Sequence, residues 1–232
     1  DRQPIVVRDY LKIRPDWAMI RRILGIGIPS GVENSMFQLG KLAIQSTVST
    51  LGTTAIAAQA MTNILENLNG MAAIGIGVGL MTIVGQCMGA DRKDEAVYYI
   101  KKLSVIAEVA IIVSLLVFVL TGPVTVLGGM EPASAKMCFH MVIWITIVKP
   151  IVWTLAFIPA YGLRAAGDVK FSMAASCITM WLCRFCLCVI LIRFLEFGTM
   201  GVWIGMFADW TVRAVIFTWR FHSRRWLRYK VI

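Results

Sequence analysis

Six apolar runs, each long enough to cross a lipid bilayer, constrain this chain more than any other feature of its sequence. A helical span needs about 20 mostly apolar residues. Windows of that kind, bounded by charge or by Gly and Pro, occur at 28–50, 54–88, 103–121, 137–163, 171–193 and 199–219. The second is long enough to tilt or to project beyond the lipid. Backbone polar groups in a bilayer must be satisfied inside a helix or a closed barrel, and these runs are continuous instead of alternating with period two, so they predict helices. Composition agrees: 58% of residues are apolar, 16% are charged and the mean hydropathy is +0.74, outside the range of a soluble domain. The expected fold class is an all-α integral membrane protein with six transmembrane helices.

The formal net charge of +10 raises nucleic acid as a partner, but its distribution argues for membrane orientation and against nucleic acid. Lys and Arg cluster in residues 1–22, in a 89–102 loop (Arg92, Lys93, Lys101, Lys102), in a 164–170 loop (Arg164, Lys170) and in a basic tail over 220–232; the opposite-side loops hold only Lys136 and Arg193. The positive-inside rule then puts both termini in the cytoplasm of a multi-pass protein of the cell (plasma) membrane, and an even number of spans agrees. Residues 1–27 read as a cytoplasmic linker ending in an amphipathic helix, with Asp16 as its N-cap and Trp17, Ile20 and Leu24 on one face. Such a basic, aromatic-bearing helix is expected to lie along the inner membrane surface. No charged segment with a short apolar core precedes the first span, so no signal peptide is expected, and the chain reads as part of something longer.

Against this apolar background, GVENSMFQLGKLAIQS at 31–46 stands out. At 100° per residue, Asn34, Gln38, Lys41 and Gln45 fall within about 60° of one another, and Glu33 sits about 100° to one side. Gln59, Asn63, Glu66 and Gly70 repeat the same spacing in the second window, flanked by Thr62 and Asn67. An Asp, Lys or Arg at the membrane centre costs about 2.5–3.5 kcal/mol on insertion scales, so several together need a use or mutual pairing. One reading pairs Glu33 with Lys41, or Lys41 with Glu66, to hold helices in register. The favoured one is a water-accessible cavity whose amides bind a polar solute and whose carboxylates exchange a proton or a sodium ion. Asp209 and Arg213, at i, i+4, are expected to form an internal salt bridge. Pro150 and Pro159 interrupt the fourth window, where freed carbonyls permit a bend, static or used as a hinge.

Other apparent motifs carry less. Cys183 and Cys186 form a C-x-x-C without a second pair or a nearby His, so packing is the better account than metal. Gly75, Gly77, Gly79 and Gly85 fall mid-helix with no strand before them, so close helix packing is expected instead of a nucleotide loop. No nucleophile, paired-Asp or metal constellation lies in the spans, so no enzyme and no cofactor is expected.

G-I-P-S-G-V-E at 27–33, G-Q-C-M-G-A at 85–90 followed by Ala96, and G-L-R-A-A-G-D at 162–168 resemble the C-terminal half of multidrug and toxic compound extrusion (MATE) transporters, and the resemblance runs through essentially the whole chain. It implies one six-helix lobe, over 28–219, of a twelve-helix transporter whose N-terminal lobe is missing here. It also implies export of amphipathic, often cationic compounds in exchange for sodium ions or protons, through a central cavity open alternately to each side. The sequence departs from the family pattern in two places. Many relatives carry an acid eight residues after the first-helix proline, where this chain has Phe37, and an acid in the fourth helix, where Lys149 is the only ionisable group. On this reading Glu33 and Glu66 are the ion-linked carboxylates, Asn34, Gln38, Asn63 and Asn67 contact solute or water, Lys41 is a charge partner, and Pro150 and Pro159 form the hinge. A flippase of lipid-linked saccharides from the same superfamily, kept open by Lys41, Lys149 and Arg184, and a non-transporting membrane half-protein are the alternatives.

Overall fold

A computed structural model describes residues 16–119 and 129–228; residues 1–15 of the linker, the end of the third apolar window at 120–121 and residues 229–232 of the tail lie outside the described residues. Among the described residues six long helices follow one another: α1 (Trp17–Ser49), α2 (Thr53–Gly89), α3 (Lys93–Val119), α4 (Pro132–Ala165), α5 (Val169–Arg193) and α6 (Thr199–His222), with a short 3₁₀ turn at Arg225–Arg228. Among the described residues α2, α4, α5 and α6 are long and apolar enough to cross a membrane by length and composition. Large apolar side chains such as Ile64, Leu68, Val105 and Ile151 are left exposed, as suits a surface solvated by acyl chains.

Local chemistry explains the helix ends. Asp16 caps α1 as its position predicts, its Oδ1 accepting from the backbone N–H of Ala18 (2.9 Å) and Met19 (3.2 Å). The helix expected in the linker does not stop before the first span: α1 continues for 33 residues, through Pro29. Gly25 and Gly27 stay helical and never take the positive φ that would end it. Gly52, at φ +95°, supplies that break before α2. The basic loop expected at 89–102 is also shorter, because α3 begins at Lys93. Asp94 and Glu95 in its first turn complement the partial positive charge of a helix N-terminus.

α2 packs on α3 and α4, α4 on α6, α6 on α5, and α1 leans on α5 while scarcely touching α2. That leaves a cleft between α1 and α2, floored by α4, α5 and α6. Small residues set the closest approaches. A Cβ at Gly201 would lie 3.1 Å from Leu191, and one at Gly205 would lie 3.0 Å from the carbonyl oxygen of Arg184, so two glycines four apart draw α6 against α5. Of the four glycines expected to serve close packing in α2, only Gly77 does, against the Tyr161 ring; Gly75, Gly79 and Gly85 meet open space, because the helical period turns them away from α4. α4 runs unbroken through Pro150 and Pro159. α5 carries an internal π-helical stretch over Thr179–Cys186.

Candidate functional site

The cleft between α1 and α2 is a cavity of about 610 Å³. α1 contributes Phe37, Gln38, Lys41 and Gln45; α2 contributes Gln59, Asn63, Glu66, Asn67 and Gly70. These are the two polar stripes, brought face to face because α1 packs through its other side onto α5. The wall behind them is aromatic and apolar: Trp153, Phe157 and Tyr161 from α4, and Val202, Met206 and Trp210 from α6. Arg184, from the π-helical stretch of α5, also lines it. Trp153 and Phe157 stack with ring centroids 4.9 Å apart, an offset geometry that suits apolar, planar groups.

Several of the polar groups are already engaged. Glu66 Oε1 accepts from Lys149 Nζ at 2.6 Å, and the same ammonium donates to the Glu66 carbonyl oxygen at 2.9 Å. Lys149 is fully buried, and its partner side chain is 17% exposed. Gly70 makes room for this pair, since a Cβ there would stand 3.3 Å from Lys149 Nζ. Gln59 Oε1 accepts from the indole N–H of the buried Trp203 at 3.0 Å. Asn67 Nδ2 donates to the Asn63 carbonyl at 2.8 Å. Thr62 points away from the cavity, donating to the Ala58 carbonyl at 2.7 Å, with Cys138 Sγ 3.2 Å from the same hydroxyl. Among the described residues the side-chain amides of Gln38, Gln45 and Asn63 are left free to face the cavity.

The structure thus brings Gln38, Lys41, Asn63, Glu66 and Asn67 together and leaves out Glu33 and Asn34. Glu33 is buried and accepts from Arg164 Nη2 in the last turn of α4, and Asn34 is exposed. The reason is angular: Glu33 lies off the stripe and turns toward α4, where Arg164 also stands 5.6 Å from the centre of the Tyr161 ring. The pairings of Lys41 with Glu33 or Glu66 suggested by spacing do not form among the described residues, because Arg164 and Lys149 reach those carboxylates first. Asp209 and Arg213 do pair, Nε to Oδ1 at 2.7 Å, both buried. Arg220 donates to the buried Asp168.

Sequence reasoning missed the aromatic wall, and it named Arg184 only as a positive charge compatible with a lipid-linked saccharide. The aromatics sit among ordinary apolar residues with no periodic signal to separate them. The place of Arg184 beside the cavity depends on the π-helical register of α5.

The MatE family model matches residues 29–190. The chain belongs to the MatE family. A MatE relative, "Probable multidrug resistance protein NorM" of Thermotoga maritima, is 26% identical over 225 residues, which cover 95% of this chain and 47% of that protein. "Uncharacterized transporter YisQ" of Bacillus subtilis is 27% identical over 213 residues, 90% of this chain and 46% of that one. Among solved structures, a Vibrio cholerae MATE transporter superposes with a TM-score of 0.77 at 18% identity, covering 92% of this chain and 48% of that one. A MOP superfamily transporter from Pyrococcus furiosus superposes with a TM-score of 0.76 at 24% identity over 88% of this chain and 45% of that one. The chain therefore spans about half the length of the MatE relatives it matches, and the six helices have the fold of one lobe of such a protein.

Proposed function

We propose that this chain is the C-terminal lobe of a secondary active exporter of amphipathic compounds in the cell membrane, with both of its termini cytoplasmic and an N-terminal lobe closing the cavity from the other side. The observation that carries the proposal is the cavity itself: amides of α1 and α2 face an aromatic wall, the lining that holds a solute with a polar end and an apolar body. Glu66 is the carboxylate assigned to coupling with sodium ions or protons, since it borders the cavity and its ion pair with Lys149 can be exchanged for a proton or a cation. Pro150 flanks Lys149, so a bend of α4 at Pro150 or Pro159 would move that ammonium relative to Glu66. Coupling is then a difference in affinity between two arrangements of the lobes.

The test is counterflow in proteoliposomes holding the full-length protein, with a sodium or a proton gradient imposed. Glu66→Gln should abolish gradient-driven transport of an amphipathic dye, while Glu33→Gln, outside the cavity, should leave most of it. Equal loss in both variants, or none in either, would remove Glu66 from its role. A flippase of lipid-linked saccharides remains the second reading because Lys41 and Arg184 put positive charge in the lining. Vesicle assays comparing a cationic dye with a lipid-linked saccharide separate the two.

A further inference from the structure

Three cationic side chains surround one ring. Lys41 Nζ stands 5.0 Å, Arg184 Cζ 5.6 Å and Arg213 Cζ 5.8 Å from the centre of Phe37. Arg213 is neutralised by Asp209. Lys149, the other buried cation nearby, is neutralised by Glu66, the one acid in the lining. Lys41 and Arg184 have no ion pair among the described residues, and both line the cavity.

Arg184 is the more demanding of the two. It is 9% exposed, its Nη2 reaches only the Met206 sulfur at 3.2 Å, and its Nε has no hydrogen-bond partner. A buried guanidinium with an empty donor is costly to fold. A fork of N–H donors is suited to a carboxylate, sulfonate or phosphate. The π-helical stretch that holds it, a local distortion often found at functional sites, is clamped by Gly205, where a Cβ would meet the Arg184 carbonyl oxygen.

Resting on the reading of this cavity as a transport site, we propose that Arg184 and Lys41 form a subsite for the anionic head of an amphipathic solute, whose apolar body lies on Trp153, Phe157 and Trp210. The preferred cargo of this lobe is an anionic amphiphile, not an organic cation. With Glu66 held by Lys149 and Asp209 held by Arg213, no acid among the described lining residues is left to pair with these two cations, so an organic cation meets net repulsion at this end of the cavity. An anion replaces the missing counter-charge and fills the vacant Nε donor.

The full-length protein in lipid nanodiscs is tested for retention of radiolabelled taurocholate, dioctanoyl phosphatidic acid, inorganic phosphate and tetraphenylphosphonium, with empty nanodiscs as the blank. Wild type should retain the two anionic amphiphiles at least tenfold better than tetraphenylphosphonium. Taurocholate alone would mark a soluble cargo, phosphatidic acid alone a lipid. Lys41→Gln, a substitution at an exposed position, should weaken retention of the anions several-fold. Arg184→Met should abolish it without lowering the melting temperature, because it removes a buried charge that lacks a counter-ion. Tighter retention of tetraphenylphosphonium than of both anions, retention of inorganic phosphate alone, no retention of any anion, or anion retention unchanged in both variants would each overturn the proposal. Anion retention that depends on Arg184 but is never followed by gradient-driven flux would support the subsite and refute the exporter reading alone.

Discussion

Removing Glu66 should harm this lobe more than removing its partner Lys149, although each change breaks the same ion pair. Glu66→Gln leaves an ammonium with no exposed surface facing a neutral amide. Breaking a buried pair from one side costs about 3–5 kcal/mol, because the remaining charge is stranded. Two contacts soften the loss: Nζ keeps the Glu66 carbonyl at 2.9 Å and lies 5.5 Å from the Trp153 ring centre. The expected cost is therefore at the low end, about 3 kcal/mol, or roughly 6–12 °C of melting temperature for a chain of this size. Lys149→Met instead strands a carboxylate that is 17% exposed and opens onto the cavity, where it can take up water or a proton. Its cost should be nearer that of an unmet hydrogen bond, about 1–3 kcal/mol. The double variant Glu66→Gln/Lys149→Met strands no charge and should melt above Glu66→Gln alone, a coupling that a double-mutant cycle isolates. Melting curves of the detergent-purified protein provide the measurement. Equal losses in the two single variants, or simple additivity in the double, would refute the claim that burial of Lys149 makes the pair asymmetric.

Asp209→Asn should be at least as damaging, about 3–5 kcal/mol, since it leaves the charge of Arg213, 3% exposed, facing a neutral amide with no counter-ion; a melting temperature within error of wild type would contradict this. Trp203→Phe removes the indole N–H that satisfies Gln59 inside the bundle and should cost about 1–3 kcal/mol, with Trp203→Phe/Gln59→Leu recovering part of it in the same assay. Gly77→Ala puts a methyl 2.6 Å from the Tyr161 ring. That overpacking should cost about 1–3 kcal/mol and, because Tyr161 lines the cavity, should also lower solute affinity in the nanodisc retention assay; Gly79→Ala, which meets nothing, should do neither.

Certain features were readable from the residues alone because they depend on periodicities internal to one helix. The apolar runs announced the helices, since in lipid the backbone has no other partner. Spacing at i, i+3, i+7 placed Gln38, Lys41 and Gln45 on one face of α1, and spacing at i, i+3 placed Asn63 and Glu66 on one face of α2, which is where the cavity lies. The Asp16 cap and the Asp209–Arg213 pair were legible for the same reason, each being complete within a single turn of chain.

Whatever depended on a second helix was decided only by packing. The carboxylates Glu33 and Glu66 found Arg164 and Lys149, 131 and 83 residues away, in place of the nearby Lys41. Ion pairing follows distance in space, and no regularity in one helix states which neighbour it will meet. Packing likewise removed Glu33 and Asn34 from the cavity and added Arg184, whose direction rests on a π-helical register and on the closeness of α6 at Gly205. Sequence thus determined that the two leading helices carry polar faces within a membrane protein. Tertiary structure alone determined which of their charges are neutralised and which are left facing the cavity.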